Sequence, residues 1–144
     1  MSTQHAALIL PAAPTDVRRL LLDPLALPAW NPAFHSVEGP PQPAPGHRYA
    51  IRVRPGLTGS LEYTRIGPDR IDIAWHVPGF RETGSWTLEP HGALTLAHHW
   101  FEHTGPLASA LRHAFQGVAS LRLQRLAEQL LVEARDTAAH PPVR

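Results

Sequence analysis

RYAIRVRPGLTGSLEYTRIGPDRIDIAWHVPGF runs from Arg48 to Phe80, and its apolar residues fall on every second position. Tyr49, Ile51 and Val53 alternate with Arg48, Arg52 and Arg54. Leu57, Gly59, Leu61 and Tyr63 alternate with Ser60, Glu62 and Thr64. Ile71, Ile73, Trp75 and Val77 alternate with Arg70, Asp72 and His76. A period of two places one face of each run in a core and the other in water. Pro55-Gly56, Gly67-Pro68-Asp69 and Pro78-Gly79 stand between the runs, and each is turn chemistry. The turns recur about every 11 residues, which predicts antiparallel strands joined in series. Such a sheet is covered on one side only.

The pattern extends in both directions. Downstream, Phe80, Glu82, Gly84, Trp86 and Leu88 alternate with Arg81, Thr83, Ser85 and Thr87, and Pro90-His91-Gly92 turns the chain again. In the last strand Leu94, Leu96, His98 and Trp100 are taken as inward, although Ala97 and Phe101 suit the other face. Gly105-Pro106 then opens a helix with Pro at its favoured first position. Leu111, Phe115, Ala119, Leu123, Leu126 and Leu130 step by three or four residues, and Leu107, Ala114 and Val118 widen that stripe. The spacing predicts one helix from about Pro106 to Arg135, on the order of 40 Å long, with Gly117 as its weak point. Upstream, His5–Leu10 reads as a strand, and Pro14 and Asp16 start a short helix. Pro24 ends that helix, and Pro28 and Pro32 bracket Trp30 and Asn31. Phe34–Glu38 reads as a short strand. Between Gly39 and Gly46 four prolines lack an N–H to donate, so this stretch reads as a stiff surface loop.

The chain has 144 residues, enough for one domain that buries roughly 70% of the surface its unfolded chain exposes. We expect that domain over residues 1–136 and a flexible tail over 137–144. At 43% hydrophobic residues, the chain does not read as disordered. A net charge of +1 offers no footprint for nucleic acid, so none is expected as a partner. There is no Cys and no Lys: all 13 basic residues are Arg. This removes disulfides, thiolate metal sites, Cys nucleophiles and Lys Schiff bases. Arg without Lys, alongside 16 Pro and 10 His, looks like a compositional bias, which weakens any single Arg or His as a signal. Met1 to Ala13 has no basic region ahead of its apolar stretch, so no signal peptide is expected. No apolar run approaches the roughly 18 residues of a membrane span. The expectation is a soluble cytoplasmic protein, monomer or homodimer.

Asp23-Pro24-Leu25-Ala26-Leu27-Pro28-Ala29-Trp30-Asn31-Pro32 resembles the D-P-x-x-x-P-x-W-[ND]-P stretch of START-like proteins, the SRPBCC superfamily, in its polyketide cyclase/dehydrase and lipid-transport group. Val17 and Leu20–Leu22 are similar to the preceding helix of that family. Trp86-Thr87-Leu88-Glu89-Pro90 is similar to its late hairpin, and Gly105-Pro106-Leu107 to the start of its last helix. Arg18 departs from the pattern, since many members carry an aromatic residue after the Val. The resemblance implies an α+β helix-grip fold: a curved antiparallel sheet of six to seven strands wrapped around a long C-terminal helix, with two short helices after the first strand. It also implies a pocket between sheet and helix for a lipid, polyketide or other small apolar ligand. A minority of the family catalyse cyclisation or dehydration.

Candidate site residues follow. Tyr49, Ile51, Tyr63, Ile73 and Trp75 lie on inward strand faces, as do Phe80, Trp86 and Trp100 by the reading above. Phe115 faces in from the helix, and Trp30 stands where it would gate the pocket mouth. Each is equally suited to ordinary core packing. Glu82 is an acid on an apolar face, where burial raises a carboxyl pKa unless a partner holds the charge. It reads as a general acid or base, as one half of a structural pair with an inward Arg or His, or as outward-facing if a bulge sits near Gly84. His98 is the second proton-transfer candidate, because it titrates near neutrality. His99 and His103, with Glu102, invite a metal reading, but residues four apart in a strand are about 13 Å apart, too far for one ion. No metal and no cofactor is expected. Arg48, Arg52 and Arg54 read as a solvated stripe on the wet face of the sheet. The favoured function is carriage of a small apolar ligand. A polyketide cyclase, aromatase or dehydratase using Glu82 and His98 is the first alternative, and a protein-interaction module resembling a co-chaperone the second.

Overall fold

The structure is a computed structural model that describes residues 2–54 and 56–139. Strand β1 (Ser2–Leu10) is followed by helix α1 (Pro14–Leu21), a 3-10 turn at Pro24–Ala26 and helix α2 (Leu27–Trp30). Strands β2 (Phe34–Glu38), β3 (Arg48–Val53), β4 (Leu57–Ile66), β5 (Arg70–Val77), β6 (Phe80–His91) and β7 (Leu94–Thr104) come next, and helix α3 (Val118–Ala139) ends the chain. The strands form one seven-stranded sheet in the order β1-β7-β6-β5-β4-β3-β2. Every pairing is antiparallel. The α+β helix-grip architecture expected from the sequence is the one found, with α3 and the short helices on the concave face. The turn expected at Pro55-Gly56 falls partly on Pro55, which lies outside the described residues.

The inward faces follow the alternation almost throughout. Leu61 and Tyr63 of β4, Ile71, Ile73, Trp75 and Val77 of β5, and Phe80, Trp86 and Leu88 of β6 are buried. The short helices close the concave side. Val17, Leu20 and Leu21 of α1 and Leu27 and Trp30 of α2 join the core. Arg18 fills its unusual position by donating from Nε to the Gly67 carbonyl at 3.1 Å, which ties α1 to the β4–β5 turn. Asn31 is buried, and its Oδ1 accepts from the Ala33 N–H at 3.0 Å. This Asx turn reverses the chain between α2 and β2.

Two expectations are corrected. In β7 the face is reversed: Thr95, Ala97, His99, Phe101 and His103 are buried, while Leu94 and Trp100 are exposed and His98 lies with them. The cause is the length of the β6–β7 turn. His91 pairs with Leu94, so Gly92-Ala93 is the whole connection. Opposite residues share a face, and Trp86, Gly84 and Glu82 therefore bring His99, Phe101 and His103 inward. The second correction concerns the C-terminal helix. The regular helix begins at Val118, not near Pro106. From Gly105 to Gly117 the backbone makes a mixture of turns: Leu111 and Phe115 donate four residues back, but Ala108, Arg112 and Gln116 donate three residues back. Gly117 then adopts φ +76°, a left-handed conformation that ends this stretch and lets α3 start in a new direction. At the far end α3 continues to Ala139, so residues 137–139 of the expected tail are helical, and the remainder, 140–144, lies outside the described residues.

Candidate functional site

A cavity of about 490 Å³ opens between the sheet and the segment that precedes α3. The ends of β3, β5 and β6 supply Val53, Trp75, Val77 and Phe80 on one side. Leu107, Leu111, Ala114, Phe115, Val118 and Leu121 supply the other. Pro32, Ala33, Arg54 and Leu57 complete the lining. The irregular turn structure explains why space remains here. A continuous helix would have laid its stripe flat along the sheet, whereas the chain between Gly105 and Gly117 bridges across it. At its start, Leu107 donates its N–H to the Gly79 carbonyl at 2.9 Å, which pins the bridge to the β5–β6 turn. At its end, the Gln4 side chain of β1 donates to the Phe115 carbonyl and accepts from the Ala119 N–H at 3.3 Å.

Of the expected ligand-binding residues, Trp75, Phe80 and Phe115 line this cavity. Ile73 and Trp86 instead face a separate void of only about 10 Å³, shared with Trp75. Tyr49, Ile51 and Tyr63 are packed into the core away from the cavity. The Tyr63 hydroxyl donates to the Leu21 carbonyl at 2.6 Å, a structural tie between sheet and α1. Trp30 is buried edge-to-face against Trp86. Trp100 is on the outer face of the sheet, 37% exposed, so it reaches no interior space.

Behind the cavity wall sits a buried polar cluster. Glu82 is 4% exposed and Arg122 1%. Arg122 donates from both terminal nitrogens to the two carboxylate oxygens of Glu82, each at 2.9 Å. His103 Nε2 donates to Glu82 Oε1 at 2.7 Å, and Trp75 Nε1 donates to Oε2 at 2.9 Å. Four donors thus meet the roughly four acceptor positions of a carboxylate, which leaves none for a substrate. Burial alone would raise the Glu82 carboxyl, but the Arg122 guanidinium and the His103 and Arg122 hydrogen bonds outweigh it and hold the group well below the usual carboxylate range. His99 completes the cluster. Its Nε2 lies 3.2 Å from Arg122 Nη1, and its Nδ1 lies 3.1 Å from the Ser85 carbonyl. The guanidinium is only a donor, so Nε2 accepts and Nδ1 carries the proton. Burial and the neighbouring guanidinium push the His99 pKa down to about 3. Gly84 lets β6 lie close to β7: a Cβ there would sit 3.1 Å from the Trp100 carbonyl oxygen and 3.3 Å from Phe101 Cβ, while His99 Cε1 at 3.7 Å would be in ordinary contact.

The two proton-transfer candidates are on opposite faces of the sheet. Glu82 points inward as expected, while His98 points outward, with its Nδ1 3.2 Å from His5 Nε2. The cluster is also walled off from the cavity. None of Glu82, His99, His103 and Arg122 lines the larger space; Glu82, His99 and Arg122 border only the void of about 10 Å³, and His103 is flanked by Phe80 and Phe115 at ring distances of 4.6 and 4.4 Å. The sequence carried a sign of the partners. Arg122 lies three residues after Ala119 and four before Leu126, inside the apolar stripe of α3, where a charge needs a buried counterpart. Counting the β6–β7 register from the two-residue turn puts His103 opposite Glu82 and His99 on the same inward face. Among the described residues no group of three or more His, Asp and Glu side chains is arranged to hold a metal ion.

Comparison with known proteins agrees with this geometry. Residues 4–131 match the family described as Polyketide cyclase / dehydrase and lipid transport. No curated protein matches the chain. Among solved structures, the MLL2253 protein of Mesorhizobium loti superposes with a TM-score of 0.71 at 21% identity, over 92% of this chain and 98% of that one. Ara h 8.0201 superposes with a TM-score of 0.68 at 14% identity, over 91% and 98%. DynU16, from the dynemicin biosynthetic locus, gives 0.66 at 20% identity, over 90% of this chain but 47% of the longer neighbour. At these identities the likenesses bear on the fold alone. The family match covers most of the chain and includes the strands and bridge that frame the cavity: the chain belongs to the polyketide cyclase/dehydrase and lipid transport family.

Proposed function

We propose that the protein binds and carries a small apolar ligand in the cavity between its sheet and the 107–121 segment. The observation that carries this reading is the cavity itself. At about 490 Å³ it falls within the roughly 300–1,000 Å³ of small-molecule sites, and nearly every lining residue is apolar. Trp75, Phe80 and Phe115 present rigid aromatic walls, so the affinity comes from buried apolar area. Acid–base chemistry by Glu82 and His98 has less support, because Glu82 is fully bonded and His98 lies outside. An interaction module would need no such opening. Native mass spectrometry of protein freshly purified from its own host is the test. The expected result is a co-purified apolar compound that is absent from an Ala114→Trp variant, whose indole fills the cavity. Empty wild-type protein that also fails to take up any apolar compound sinks the reading.

A further inference from the structure

The cavity has one charged residue in its lining, Arg54. Alternation along β3 put Arg54 on the wet face with Arg48 and Arg52. The strand ends at Val53, and Arg54, the next residue, is exposed and also borders the apolar space. Its backbone is anchored there, since the Arg54 N–H donates to the Ala33 carbonyl at 3.3 Å, and Ala33 is itself part of the lining. An adjoining surface hollow of about 360 Å³ shares Val53 and Arg54 and adds His35 and Arg52. Neither lining contains a carboxylate. Among the described residues, Arg19, Arg70 and Arg122 are the arginines in ion pairs, and Arg54 makes no side-chain hydrogen bond. An exposed arginine whose guanidinium donors are unused among the described residues therefore borders the apolar chamber and the hollow beside it.

We infer that the cavity takes an apolar ligand bearing one carboxylate, with the apolar body inside and the carboxylate held at the mouth by Arg54. This inference rests on the cavity being a ligand site, and it adds the polarity and orientation of the ligand. The guanidinium matches a carboxylate through two parallel N–H···O bonds, which gives direction as well as attraction. Arg52 beside it raises the local positive potential, which disfavours a cationic head.

Isothermal titration calorimetry near neutral pH with decanoate, 1-decanol and decylammonium tests this, since the three share one tail. The expected order is decanoate tightest, decanol weaker by about tenfold, and decylammonium weakest. In Arg54→Gln the decanoate-to-decanol ratio falls to near one. In Arg48→Gln, a change on the outer face of the same strand, the ratio stays. Thermal melts of both variants confirm that they fold. Equal binding of decanoate and decanol by the wild type overturns the inference while leaving the cavity as an apolar site. A ratio that survives Arg54→Gln, or falls equally in Arg48→Gln, does the same. Failure of all three probes to bind removes the ligand site and this inference with it.

Discussion

Glu82 keeps a full negative charge inside an apolar core because Arg122 pairs with both of its oxygens and His103 and Trp75 fill its remaining acceptor positions. Such a pair is costly to bury and costlier to break. Arg122→Leu leaves a carboxylate without its counter-charge, and we expect a loss of about 3–5 kcal/mol in urea unfolding. Replacing Glu82 and Arg122 together by apolar residues of similar volume should cost far less than that single change. The same cluster sets a pH dependence. His99 is neutral when folded, with its pKa lowered from 6.5 to about 3, so the unfolded chain binds the extra proton first as pH falls. Its stabilising contribution is complete above pH 6.5 and is lost progressively as the pH drops toward 3. Glu82, also lowered, acts in the same direction, losing its contribution below its ordinary value of 4.5. Unfolding free energy measured against pH should therefore rise from acid to neutral, and His99→Gln should flatten the part between pH 6.5 and 4.5. An unchanged slope in that variant would remove His99 from the account.

At the level of elements, the strands were readable because period two is a local property of the chain. β5 shows it from Ile71 to Val77 and β6 from Phe80 to Leu88, with the phase changing at Pro78-Gly79. Two elements resisted, each for a physical reason. The face of β7 depends on how many residues the β6–β7 turn holds, and alternation alone leaves the two phases equivalent, since Leu96 and Trp100 are as apolar as Ala97 and Phe101. The helical spacing extends past the helix itself because Leu107, Leu111, Ala114 and Phe115 keep it ahead of Val118. Spacing does not reveal that Gly117 takes a positive φ. That glycine gives the element its test. A Cβ at residue 117 would touch nothing within 4 Å, so the cost of Gly117→Ala is backbone strain alone. We expect a loss of about 1–2 kcal/mol in chemical denaturation, with a native circular-dichroism spectrum. A stabilised Gly117→Ala would instead mean that the bridge and α3 prefer to join into one helix.

For the molecule as a whole, the cavity is the product of these two elements together. The sheet supplies a concave apolar face, and the bridge from Gly105 to Gly117 spans it without filling it. The aromatic residues expected at a pocket divide accordingly. Those near the ends of β5 and β6 reach the opening, while Tyr49 and Tyr63, deeper along the sheet, meet α1 and each other. The family was legible in Asp23–Pro32, because that stretch builds the buried Trp30 and the Asx turn beside which Pro32 and Ala33 enter the cavity lining. The cavity's own lining was only half legible, since its far wall depends on where the bridge departs from helix. Ligand binding should stabilise the whole fold by mass action. At a ligand concentration about a hundredfold above Kd the expected gain is about 2.7 kcal/mol, read as a raised melting temperature. The Ala114→Trp variant should show no such gain.

The four tryptophans fall into optically different settings. Trp30 and Trp86 are sealed in the core, Trp100 looks outward, and Trp75 alone forms part of the cavity lining while its indole N–H is bonded to Glu82. The protein thus contains its own spectroscopic probe. Trp100 should emit at long wavelength and be quenched by iodide, and a Trp100→Phe variant should leave a blue-shifted, quencher-resistant spectrum. In that background, ligand entering the chamber changes the surroundings of one emitter, Trp75. Occupancy can then be followed by emission wavelength alone, without a dye competing for the same space.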